Sequence, residues 1–137
     1  METKRYTAAY PHAMRPVQYD SMHYLCYLNE SSADYKADED ATPVPGFAYT
    51  GTMSDGGTLI ECDEWNRDKL INAIIRTRYL QTEEDAIKTH RLQQLAATLD
   101  LSLLSDEKRA EYNAEWKAFE AFRAEAIRIV NSWDSWE

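Results

Sequence analysis

The stretch SDEKRAEYNAEWKAFEAFRAEAIRIVNSWDSWE, residues 105–137, decides the fold. Tyr112, Trp116, Phe119, Phe122, Ala126, Ile129, Val130 and Trp133 recur in it mainly at spacings of three and four. That spacing places them on one face of an α-helix. Lys117, Glu120, Arg123, Glu125 and Arg128 take the opposite face. Glu120–Arg123 and Glu125–Arg128 are i,i+3 pairs, each worth about 0.3 kcal/mol. Ser105 is a suitable N-cap, and Asp106 and Glu107 suit the positive end of the helix dipole. A helix running on to Trp136 would hold about 32 residues and measure about 48 Å. A compact domain of this size is about 37 Å across, so such a helix overhangs by about 10 Å. Three outcomes are open: the helix stops after Val130, the domain is elongated, or another protein or a second copy covers the end. The overhang favours the last two and marks Phe122, Val130, Trp133 and Trp136 as candidate partner contacts.

Two helices are expected before this one. Asp63 is a plausible N-cap, and Trp65, Ile71, Ile74, Ile75 and Tyr79 give an apolar face after it. Thr82-Glu83-Glu84-Asp85 resembles a capping box and starts a second helix carrying Ile87, Leu92, Leu95, Ala96 and Leu99. Asp100 to Leu104 breaks the pattern. The N-terminal half reads as β structure. VQYDSMHYLCYLN, about 17–29, is a strand with Met22, Tyr24, Cys26 and Leu28 on one face. Residues about 46–62 form a hairpin, with FAYTGT and TLIEC as arms and Ser54-Asp55-Gly56-Gly57 as the turn. Residues 30–46 carry Asp34, Asp38, Glu39, Asp40, Pro43 and Pro45 and read as a long solvated loop. Pro11 and Pro16 make 1–16 an irregular arm. The expectation is one α+β domain over 1–137: a small antiparallel sheet within 17–62, then three helices within 63–137, the last one long.

Composition limits function. Apolar residues make up 44% and the net charge is −9, so the chain is globular and acidic. With no basic stripe, direct nucleic-acid binding is not expected. No apolar run approaches the ~18 residues of a membrane span, and METKRYTAAYPH has no apolar core of a signal peptide. A protein that is cytoplasmic where it is made is expected. Cys26 and Cys62 read as free thiols of a reducing compartment, with a bridge open if their strands are neighbours.

No pattern selects a reaction. His12, His23 and His90 are scattered, and no GxSxG, CxxC or Walker-type loop occurs. Asp38-Glu39-Asp40 lacks the alternating ligand spacing of a calcium loop. The Gly56-Gly57 pair has no GK[ST] after it, so it reads as a turn and not a phosphate cradle. No catalytic, cofactor-binding or metal-binding residue is assigned, and a non-enzyme without cofactor is expected.

LSLLSDEKRAEYNAEWKAFEAFR, Leu101 to Arg123, resembles the C-terminal helix of small proteins of phage and prophage tail modules. These include tail-fibre assembly proteins and tail assembly chaperones. Asp106, Glu107, Lys108, Ala110, Trp116, Phe119 and Arg123 carry the likeness, as does the DGGTLI stretch leading into R-x-R-Y. The family helix commonly stops near a proline soon after the arginine; here it runs on through Ile127, Val130 and Trp133. The resemblance implies a non-catalytic protein-binding or assembly factor, cytoplasmic or virion-associated, whose partner is a phage tail component or itself. An alternative from charge alone is an acidic decoy that mimics nucleic acid and inhibits a host DNA-binding protein.

Overall fold

The computed structural model describes residues 4–136, apart from the side chain of Leu101. It is an α+β fold with two small antiparallel sheets and three helices, the last one long. Two compact units divide the chain, Met1–Trp65 and Asn66–Glu137.

The first unit holds six strands: β1 (Tyr6–Tyr10), β2 (Val17–Asp20), β3 (His23–Cys26), β4 (Ser31–Tyr35), β5 (Val44–Gly51) and β6 (Thr58–Glu61). One sheet runs β1-β5-β4 and the other β2-β3-β6, with antiparallel pairing throughout. Four expectations are corrected. The arm over 1–16 contains β1, which pairs Tyr6 with Gly51 and Tyr10 with Phe47. The loop over 30–46 contains β4, which pairs Ser31 with Ala48. The strand over 17–29 is a hairpin, because the Asp20 carboxylate accepts the Met22 N–H at 2.8 Å and turns the chain. Finally, the two arms over 46–62 enter different sheets instead of pairing with each other.

The turn between β5 and β6 explains that last difference. Met53 N–H donates to Gly57 O at 2.9 Å and Gly56 N–H to Met53 O at 3.0 Å. Asp55 is held from within the turn and from outside it: Oδ1 accepts Gly57 N–H at 2.9 Å and Oδ2 accepts the Tyr27 hydroxyl at 3.0 Å. The Tyr10 hydroxyl donates to Asp55 O. Tyr10, Tyr27 and Tyr49 pack against one another at ring separations of 5.7–6.1 Å. The turn is therefore anchored by partners from β1 and from the chain after β3. Burial pushes the Tyr27 hydroxyl up to about 12, so it stays a neutral donor.

Cys26 and Cys62 are both buried and unpaired. Burial pushes the Cys26 thiol up to about 12. The first helix does not begin at Asp63. The Cys62 thiol donates to Glu64 O at 3.1 Å and Trp65 packs on Tyr24 at 5.6 Å, which keeps this segment with the strands.

The second unit holds α1 (Arg67–Arg76), α2 (Gln81–Ala96) and α3 (Asp106–Asn131), with one 3₁₀ turn at Leu101–Leu103. Asn66 caps α1 by accepting Lys69 N–H at 3.0 Å, and Ser105 caps α3 by accepting Lys108 N–H at 3.1 Å. Before α2, Glu83 reaches back to the Leu80 N–H at 2.9 Å. Both α1 and α2 pack on α3. Leu70, Ile74, Phe119 and Val130 are almost wholly buried.

Helix α3 is shorter than its sequence pattern suggested. It ends at Asn131, and Ser132 closes it by donating its hydroxyl to Ile129 O at 2.6 Å. Ser132 and Asp134 offer the backbone local hydrogen bonds that compete with helix. The chain then folds back, and the Trp136 indole N–H donates to Val130 O at 2.9 Å. Among the described residues the helix therefore does not run on to Trp136.

Gly56 has φ +84°, and a Cβ there would lie 2.6 Å from Tyr49 O. Gly56→Ala is expected to lower stability by about 2 kcal/mol, seen as a lower urea midpoint at unchanged slope.

Candidate functional site

Glu84 organises the helical unit. It is 7% exposed, a rare degree of burial for a carboxylate. Arg76 at the end of α1 donates to Oε1 at 2.7 Å, and Lys88 one turn along α2 donates to Oε2 at 2.6 Å. Burial raises the cost of its charge, but the two cationic donors outweigh that and hold the carboxyl below its usual range. Arg76 also donates to Tyr79 O at 3.1 Å and to Asn72 Oδ1 at 2.9 Å, so the turn between the helices is fixed at several points.

With Glu84 and Ile87 turned inward, the rest of α2 has its orientation set. His90 Nδ1 lies 2.8 Å from Glu115 Oε2, and its ring stacks on Tyr112 at 4.2 Å. Arg91 sits over Trp116 at 5.4 Å. These contacts place residues 87, 90 and 91 on the side that meets α3. Leu92 then stands about 140° round from Ile87, at about 100° per residue.

The consequence is an exposed leucine stripe. Leu92 is 67% exposed, Leu95 47%, Leu99 91% and Leu103 57%. Leu92 and Leu95 stand in the last turns of α2, Leu99 lies in the turn after the helix ends at Ala96, and Leu103 closes the 3₁₀ turn that follows. The backbone beneath them is ordered by hydrogen bonds. Leu99 N–H donates to Ala96 O at 3.0 Å, and Asp100 Oδ1 accepts both the N–H and the hydroxyl of Ser102. Together the four leucines, all within residues 92–103, expose on the order of 400 Å² of surface.

The residues singled out at the end of α3 are arranged differently. Val130 is 0% exposed and Trp133 6%, so neither presents a surface. Phe122 is half-buried beneath Arg78 at 5.2 Å and against Tyr79 at 5.9 Å. Trp136 is half-buried and tied to Val130 O. The structure ties Trp136 to Val130 at the C-terminal end of α3 and leaves Phe122 about two turns earlier, against Arg78 and Tyr79, while the exposed leucines lie at the end of α2 and in the segment after it. The sequence pattern places Leu92, Leu95 and Leu99 on the second helix with Ile87 and does not tell which of them is covered. Their only distinguishing signal is that the apolar arc of α2 is wider than its inward side needs.

Among the described residues no three His, Cys, Asp or Glu side chains form a group able to hold a metal ion. No described helix is long and apolar enough to cross a membrane. No protein family model, curated protein or solved structure matches the chain.

Because the folded Glu84 carboxyl titrates below its usual value of 4.5, its contribution is complete above that pH and fades as pH falls through the folded value. Glu84→Gln should cost about 2–3 kcal/mol at neutral pH, by leaving Arg76 without its charge partner. Urea melts across the acid range should show this difference shrinking below pH 4.5.

Proposed function

We propose that the protein is a non-catalytic protein-binding or assembly factor of phage or prophage tail-module type, and that it docks through the exposed leucines at the end of α2 and in the segment after it. The observation that carries this reading is the exposure of Leu92, Leu95, Leu99 and Leu103 on hydrogen-bonded backbone. Leaving a leucine in water forgoes about 1.5–3 kcal/mol of burial. Four in one stretch are consistent with a surface kept for association. The likeness of residues 101–123 to tail-module helices supports the class of partner, a phage tail component or a second copy of this chain.

The decoy reading has one observation in its favour. Up to Trp65 the chain has eleven acidic residues against four basic ones, so most of its net charge of −9 lies in the strand unit. A decoy holds its partner by charge, whereas an apolar face holds in salt. Affinity capture from phage-bearing cells separates the two. The expected partner stays bound in about 1 M salt, where the screening length is about 3 Å. It is lost from Leu92→Lys with Leu99→Lys, while the melting temperature of that variant stays within about 2 °C of wild type. Release by salt alone, with the lysine variant still binding, would support the decoy.

A further inference from the structure

A groove of about 430 Å³ lies in the helical unit where α1, α2 and α3 meet, within the size range of small-molecule sites. Its walls include Ile71, Phe119 and Ile127, and its rim carries Arg67, Lys88 and Arg123. Two carboxylates also line it, and each already has a cation. Asp68 lies 3.2 Å from Arg67, and Glu84 is held by Arg76 and Lys88. Arg123 has no ion-pair partner among the described residues; its helical neighbour Glu120 does not take it, unlike the Glu125–Arg128 pair one turn on. Arg67 is oriented by its Nε–H bond to Asn131 Oδ1 at 2.8 Å. In a chain of net charge −9, a groove with a fixed cation, a free guanidinium and apolar walls is an electrostatic exception.

We infer that this groove binds a small organic anion, a carboxylate carried on an apolar stem. A guanidinium takes a carboxylate through two parallel N–H···O bonds. A dianionic phosphate would meet Asp68 and Glu84 at closer charge cost. The apolar walls require the stem, because an exposed guanidinium alone gains little from an anion in water. The site is separate from the leucine stripe and does not depend on the docking reading.

Octanoate, octanol and acetate serve as probes, followed through the isoleucine and leucine methyl resonances of the full chain. Octanoate should shift Ile71, Ile75 and Ile127 with a Kd of about 1 mM or tighter. Octanol lacks the charge and acetate lacks the stem, so each should bind at least about tenfold more weakly. Arg123→Gln, at an exposed position, should weaken octanoate about tenfold and leave octanol unchanged. Arg67→Gln provides a second variant with the same expected direction. The inference is overturned if these methyls stay still up to about 10 mM, if octanoate and octanol bind alike, or if neither arginine matters. Shifts confined to Leu92, Leu95 and Leu99 would also overturn it, without touching the docking proposal.

Discussion

The carboxylate of Glu84 is the constraint on which the helical unit depends. A buried charge of this kind must be met by cations, and breaking one such pair commonly costs several kcal/mol. Arg76 ends α1 and Lys88 lies one turn beyond Glu84 on α2, so meeting Glu84 sets the way α2 leaves α1. Ile87 then faces inward and Leu92 faces out. Both exposed features of this unit, the leucine stripe and the groove beside Glu84, follow from one electrostatic requirement.

The strand unit depends on a different polar centre. Asp55 sits in a turn and is gripped by Tyr27, Tyr10 and the Gly57 N–H. The Tyr49 hydroxyl donates to Glu30 at 2.7 Å and accepts the Met14 N–H at 3.0 Å. The tyrosines thus use both their bodies and their tips, as buried Tyr usually does. These groups tie β1, β5 and the loops together, and raised tyrosine pKa values keep them as neutral donors.

Local signals in the sequence translated well where the physics was local. Ser105 with Asp106 and Glu107 begins α3 as its capping chemistry dictates, and the stripe from Tyr112 to Val130 is helical. Signals that depend on distant partners did not. Asp55-Gly56 turns the chain as expected, but nothing near it shows that β5 will pair with β1 and β4 while β6 pairs with β3. Thr7 and Ala9 give β1 no clear alternation, so only its ladder to β5 reveals it. Of the three outcomes open for the last helix, the structure shows the first: apolar spacing continues through Trp133, but Ser132 caps the helix just after Asn131. The leucines of α2 were visible but ambiguous, since periodicity reports a shared face and not what covers it. The tryptophans that first suggested an interface instead close the end of α3.

The central claim is that the exposed leucines at the end of α2 and in the turn after it, and not the aromatic end of α3 or the acidic strand unit, meet the partner. A photo-reactive benzophenone side chain placed at position 99, 135 or 38 in phage-bearing bacterial cells tests it directly, because Leu99, Ser135 and Asp38 are all exposed. The account predicts one discrete cross-linked product from position 99 and none from the other two. Cross-links from 135 or 38 with position 99 silent would contradict it.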